Sequence, residues 1–428
     1  MFKPGSSFRR LRTSQFVRHV AILTSGTAAA QIITILAVPL IARLYTPGDF
    51  GVFALFLAFS SIGGAIATAR YEMAIVLPSR DDDARSIVVL SILIALFVSG
   101  ATLVAIIAMG EQLAAAIQND KLSRWMIFIP LGVLLTGIFQ SLYYWHIRKE
   151  RLKRVAANRV VQSSSVVAAQ LGGGVVNAGP VGLVLGTIIG QCIGVFLLAR
   201  SFWKHDKPDS WTQCFAGIRA NGRRYISFPK YGAPAILTSS AAQQSLFFLI
   251  SEYLGSVVLG YVYLINRVVY LPASLIGGAI GDVFYQSISR IPKQDSYPIV
   301  SAFVKKLLAY SVTIYIGLYV LMEALFVTIF GEEWAGAVWL IKYFTLVGCL
   351  SFVFAPMSVL FNYFEIQGIN FIWQLAWLVT NIAVFFVGHA MALQMQEVVM
   401  IYALKQAILY VIGIVGFLLV AKRCGARG

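Results

Sequence analysis

Charge is what this chain has least of. Only 12% of its 428 residues are Asp, Glu, Lys or Arg, and acidic residues number 18 against 34 basic ones. A soluble globular chain averages about 25% charged residues. With 59% hydrophobic residues and a mean hydropathy of +0.79, the apolar surplus is too large for a water-soluble core to hide, so it must face lipid. Cysteine and histidine are equally sparse, at four each. Cys192, Cys214, Cys349 and Cys424 fall in apolar runs or on the side expected to be cytoplasmic, which excludes a disulfide framework. His19, His146, His205 and His389 stand apart, with no H-E-x-x-H and no Cys/His cluster, so no metal site is expected. Large extramembrane segments are missing too. Apart from the two ends, the longest polar interruption is 200–230, and the longest segment expected outside the cell runs from about Glu111 to Arg124.

What is present is a series of apolar runs. Residues 20–42, 50–69, 87–110, 125–147, 160–179, 181–199, 231–251, 343–364 and 369–387 contain no charged side chain. Three more runs, 261–281, 307–330 and 398–420, carry one or a few. A bilayer core of about 30 Å needs ~20 helical residues, so each run is long enough to span. Backbone groups find no partners in lipid, which makes the spans helices rather than open strands. The expectation is an all-α integral membrane protein of about twelve transmembrane helices.

The basic excess has a direction. If the N-terminus is inside, the loops on that side and both termini hold most of the Lys and Arg. Arg43, Lys121, Arg124, Lys342 and Lys405 lie on or near the other side, and Arg267 lies within a helix. This is the positive-inside asymmetry, and it predicts cytoplasmic termini without invoking nucleic acid. Anionic lipid headgroups suit the same charges. The basic segment before residue 20 precedes a run too long for a signal-peptide core, so it is expected to lead an uncleaved first helix. The basic stretch 200–230 divides the chain into an N-terminal six-helix bundle, 1–199, and a C-terminal one, 231–428. Ile62-Gly63-Gly64-Ala65-Ile66 recurs as Ile276-Gly277-Gly278-Ala279-Ile280, half a chain length later, as does Thr24-Ser25 in Thr238-Ser239. With six helices per half, the two copies would insert as parallel repeats.

Most short motifs read as structure. Gly277/Gly281 and Gly186/Gly190/Gly194 have the G-x-x-x-G spacing that lets helix backbones approach closely. Gly172-Gly173-Gly174 lacks the Lys and Ser or Thr of a phosphate-binding loop. Asp81-Asp82-Asp83 has a D-x-D spacing, but without an α/β domain it reads as an acidic start to the third helix. Charges inside the spans carry more information, because a Lys, Arg or Asp at a helix centre costs ~2.5–3.5 kcal/mol on insertion scales and usually faces a bundle interior or water. Arg267, preceded by Asn266, has the strongest claim on a cavity. Glu323 is either an ion-coupling group or half of an ion pair with Lys342. Lys405 either faces a cavity or snorkels.

Arg43–Leu55 (RLYTPGDFGVFAL) and Arg70–Ala84 (RYEMAIVLPSRDDDA) resemble the N-terminal signature of Wzx-type polysaccharide exporters, members of the multidrug/oligosaccharidyl-lipid/polysaccharide exporter superfamily. LGSVVLGYVYLINRVV (Leu254–Val269), LPASLIGGAIGDVF (Leu271–Phe284) and FGEEWAGA (Phe330–Ala337) resemble its second half. The resemblance implies two six-helix bundles around a central cavity that faces each side of the membrane in turn. It also implies a flippase that moves undecaprenyl-pyrophosphate-linked oligosaccharide outward across the bacterial inner membrane. In such proteins helices one, two, seven and eight line the cavity, which places Gln31, Gln243, Gln244, Asn266 and Arg267 as candidate substrate contacts, with Lys405 beside them. Glu323 is the ion-coupling candidate. The implied cargo is a polyprenyl-pyrophosphate-linked oligosaccharide, the implied neighbours a polysaccharide polymerase and a chain-length regulator. No cofactor is expected, and either a proton or a sodium gradient would supply the energy.

Three alternatives set the tests. A glycan polymerase, ligase or glycosyltransferase would carry catalytic groups on a sizeable outer loop, and this chain has none. A drug/cation exporter would more often show acidic residues in the N-terminal spans, and the predicted helices one to six contain none. A lipid II flippase of this superfamily often has two additional helices. The chain is therefore expected to be a carrier and not an enzyme.

Overall fold

The computed structural model describes residues 6–116, 125–208 and 210–425. The part of the predicted outer loop beyond residue 116, up to Arg124, lies outside the described residues. All described secondary structure is helical. Nine described stretches are long and apolar enough to cross a membrane, and the chain is a multi-pass membrane protein.

The helices are α1 (Ser6–Leu44), α2 (Pro47–Ile66), α3 (Asp81–Ala116), α4 (Ile129–Arg148), α5 (Leu152–Val175), α6 (Pro180–His205), α7 (Trp211–Arg224), α8 (Ala233–Val269), α9 (Leu271–Ile288), α10 (Ser296–Phe330), α11 (Ile341–Met357), α12 (Gln367–Ala390) and α13 (Met395–Gly425). Each predicted span falls on helical segments, the eighth on two of them. The helices α4 and α5 are not among the nine apolar stretches: α5 carries Lys153, Arg154 and Arg159, and α4 ends in Trp145-His146-Ile147-Arg148.

The predicted seventh and eighth spans meet without a loop. Phe228–Val269 is one apolar stretch, turned at Gly255 by φ 83° and ψ 169°, a backbone region essentially restricted to glycine. The predicted eighth span is itself divided, with Tyr270 as the N-cap of α9. Pro272 follows in the first turn, where its missing N–H and its ring prevent the preceding helix from running on.

The described chain forms two compact units. Unit 1 comprises the described residues within 1–45 and 56–240, and unit 2 those within 46–55 and 241–428. In unit 1, α5 packs along α6 and α1, and α3 packs along α4 and α7. Gly186, Gly190 and Gly194 of α6 face Gln170, Val166 and Gln162 of α5 in reverse order, so the predicted small-residue stripe is a helix–helix seam. At one end of the unit, Trp145, Leu142, Ile87, Leu198 and Phe202 form a buried core. Ion pairs rim it. Asp81 pairs with Arg148 and Lys149, Asp82 with Arg85, and Asp206 with Arg151, while Asp83 accepts from Asn221. The three consecutive aspartates occupy the first turn of α3 and each holds a partner. Amphipathic α7 is tied to the same rim by Ser86, whose hydroxyl donates to the Cys214 carbonyl at 2.8 Å. Burial pushes the Cys214 thiol up.

In unit 2, α10 and α13 both pack on α11, as does α9. The residues at 46–55 belong here because their backbone docks directly. A Cβ added to Gly51 would sit 1.9 Å from the Ser256 carbonyl oxygen, and one on Gly260 would sit 1.8 Å from that of Pro47. Phe50 fills the adjoining space, its ring edge-on to Trp334 at 4.9 Å.

Candidate substrate cavity

Unit 2 holds a partly open cavity of about 860 Å³. Helical periodicity builds it, since residues three, four and seven apart share a helix face. The second limb of α8 contributes Tyr263, Asn266 and Arg267, with Tyr270 one turn on. Gln243 and Phe247 come from the first limb, and Ser351, Phe354 and Ser358 from α11 and its end. Gln374, Trp377 and Asn381 come from α12, and Tyr402, Gln406 and Tyr410 from α13.

The chemistry of this wall is specific. Among the described residues, five carboxamides, one guanidinium, two serine hydroxyls and several aromatic rings face the space, and no carboxylate does. Tyr410 lies 5.3 Å from Phe354 and, edge-on, 5.3 Å from Trp377, centroid to centroid. Asn381 and Gln406 are each only 1% exposed, so their amides must be satisfied by protein or by whatever occupies the cavity. Among the described residues no carboxylate pairs with Arg267. Its five donors are set for water or an anion.

The structure brings only part of the predicted set together. Gln243, Asn266 and Arg267 line the cavity. Gln244 neighbours Gln243 on α8 but is not part of the wall. Gln31 lies on α1, within unit 1. Lys405 stands behind the wall: its Nζ donates to Asn381 Oδ1 and, at 3.0 Å, to Gln406 Oε1, and lies 4.6 Å from the centroid of the Tyr402 ring. Asn381 Nδ2 in turn donates to Ser245 Oγ at 2.9 Å. Glu323 is exposed on α10 and does not line the cavity. Lys342 is exposed as well, with its ammonium 4.9 Å from the Tyr343 ring centroid, and no Glu323–Lys342 pair exists among the described residues.

Reading charges alone missed Gln374, Asn381 and Gln406, along with the rings of Trp377 and Tyr410. The signal was available: neutral amides inside apolar spans also carry a desolvation cost unless they find partners.

A family model for a polysaccharide biosynthesis protein matches residues 40–339. No curated protein sequence matches. Among solved structures, the lipid II flippase MurJ in an inward closed conformation aligns with a TM-score of 0.71 at 13% identity, over 93% of this chain and 87% of that one. An inward-facing multidrug resistance MATE family transporter of the MOP superfamily gives 0.64 at 14% identity, over 94% and 95%. A MOP superfamily transporter from Pyrococcus furiosus, described by the reverse polarity of its binding pocket, gives 0.55 at 13% identity, over 95% and 96%. At these identities the likeness is one of fold.

Proposed function

Because the chain belongs to this family of polysaccharide biosynthesis proteins, we propose that it is the flippase for its pathway's lipid-linked oligosaccharide. It carries undecaprenyl-pyrophosphate-linked repeat units across the bacterial inner membrane, with both termini cytoplasmic. The acid-free cavity of unit 2, walled by amides, rings and Arg267, is the observation that carries this reading. A glycan head must exchange its water for protein donors and acceptors before it can enter a membrane, or desolvation stops it. Carboxamides supply both kinds of group to sugar hydroxyls, and aromatic rings cover the apolar faces of pyranoses. A guanidinium offers paired donors to a phosphate. The polyprenyl tail stays in the bilayer throughout.

On this reading the chain is a carrier with no catalytic residue, working by alternating access of two six-helix halves, 1–199 and 231–428, joined by 200–230. Gln243, Asn266 and Arg267 touch the head group, Gln31 and Gln244 serve further along its path, and Glu323 couples the cycle to a proton or sodium gradient. A polymerase and a chain-length regulator act on the product. Lipid II is the runner-up cargo, since it is the named substrate of the MurJ neighbour and shares the pyrophosphate. A cationic drug suits the cavity poorly, because no carboxylate lines it among the described residues.

Complementation of a flippase-null strain tests the proposal. Arg267→Ala should lose surface polysaccharide while the protein still inserts at normal levels. Arg267→Lys should keep part of the activity, because charge survives but the bidentate fork does not. Full complementation by Arg267→Gln at matched expression would refute an electrostatic role for this residue.

A further inference from the structure

Lys405 is a cation in a membrane-crossing stretch whose surroundings do not explain it as a substrate contact. Among the described residues it has no carboxylate partner. Its acceptors are two neutral amides, Asn381 and Gln406, and both of those line the cavity while Lys405 does not. Lys405 itself is half-buried and reaches the lining residues through these two hydrogen bonds.

That placement has a chemical consequence. An ammonium carries three donors and no acceptor, so any amide bonded to it must turn its oxygen toward it. Asn381 and Gln406 are thereby fixed with their carbonyls on Lys405, and their NH2 groups face other partners: Gln406 gives one hydrogen to the Tyr410 hydroxyl and keeps the other. Asn381 gives one hydrogen to Ser245 Oγ, itself anchored on the Ala242 carbonyl at 2.8 Å, and keeps the other. An amide without such a partner is free to turn over and present either end. The ammonium also polarises the amides it holds, which strengthens them as donors.

We propose that Lys405 is a positioning residue that never touches the cargo. Acting through Asn381 and Gln406, it makes this part of the cavity wall a hydrogen-bond donor surface and so selects an oxyanion, either phosphate or a sugar carboxylate, on the head group. The proposal rests on the cavity being the head-group site. Arg267, also a pure donor, acts in the same sense, and no described carboxylate lines the wall. Sugar hydroxyls both donate and accept, so neutral glycans are indifferent to the amides' orientation. Anions are not, because an inverted amide turns its carbonyl oxygen toward them.

The test is calorimetric binding of inorganic pyrophosphate, glucuronate and maltose to the purified full-length protein. Lys405→Met should weaken one or both anions by tenfold or more and leave maltose within about twofold of wild type. Which anion responds identifies phosphate or sugar carboxylate as the selected group. Lys405→Arg, which preserves a donor-only cation, should restore the preference. In the Asn381→Leu background, Lys405→Met should cost little more, since the lysine acts through the amide. Direct contact would instead give additive losses and a shallower salt dependence. Equal weakening of anions and maltose by Lys405→Met, unchanged anion binding, or additivity with Asn381→Leu would each overturn the positioning role. If wild type binds none of the three probes, the head-group reading of the cavity falls, and the role of Lys405 falls with it.

Discussion

The seam between α5 and α6 makes a quantitative prediction about unit 1. A Cβ built on Gly190 would lie 2.2 Å from Val166 Cγ2 and 3.0 Å from both the Gln162 carbonyl oxygen and the Val166 amide nitrogen. Val166 could move its methyl by changing rotamer, but the two backbone atoms cannot yield unless the helices part. On Gly186 the same atom would meet Gln170 Cγ at 2.6 Å and Gln170 N at 2.9 Å. Overpacking of this kind costs about 1–3 kcal/mol, and backbone contacts argue for the upper end. Alanine gains about 1 kcal/mol over glycine in helix propensity, which leaves Gly190→Ala less stable by ~2 kcal/mol. Gly100 on α3 is the control, because nothing lies within 4 Å of its added Cβ. Only the propensity gain applies there, so Gly100→Ala should be the more stable protein. Fluorescence-detected size exclusion after heating in detergent should show Gly190→Ala melting roughly 2–4 °C lower and Gly100→Ala no lower than wild type. The double variant Gly186→Ala/Gly190→Ala should lose less than the two singles together, because helices already parted at one position meet less resistance at the next. A Gly190→Ala protein as stable as wild type would refute the reasoning, since it would mean that the seam is not close-packed.

Reporter fusions at Lys153, Lys207 and the C-terminus should report the cytoplasm and one at Glu332 the outside; a C-terminus outside would overturn the even number of spans. Asp206 is 4% exposed and held by both terminal nitrogens of Arg151, so Arg151→Ala should destabilise the protein by about 3 kcal/mol, the low end for an orphaned buried charge because Arg151 is itself partly exposed. Thermal unfolding should show most of that loss recovered in Arg151→Ala/Asp206→Ala, and a fully stable Arg151→Ala would disprove the burial argument. Glu323→Gln should stop gradient-driven flipping in proteoliposomes at normal protein abundance, and Lys342→Met should not rescue it, because no ion pair joins the two side chains among the described residues. Rescue would instead reveal a structural ion pair.

Hydropathy and charge asymmetry determined the membrane class, the places of the helices and the expectation that small residues at 186, 190 and 194 form a packing face. These are sums over neighbouring residues, and neighbours are what a sequence displays. The family was legible for the same reason, in contiguous stretches such as Arg43–Leu55. What a charge inside a span does was not legible, because it depends on which way the helix faces and on what packs against it. Lys405 and Gln406 are adjacent in the chain, yet only Gln406 faces the cavity. Asn381 looks like any polar interruption of α12 until α8 and α13 close around it and give it Ser245 and Lys405 as partners. Glu323 and Lys342 had plausible spacing for an ion pair and the structure leaves them apart. The breaks at Gly255 and Tyr270 had local causes in a glycine and a proline, but neither residue alone said that the chain would use them. Tertiary packing made those choices, since burying an amide or a cation is tolerable only where another element supplies its partner.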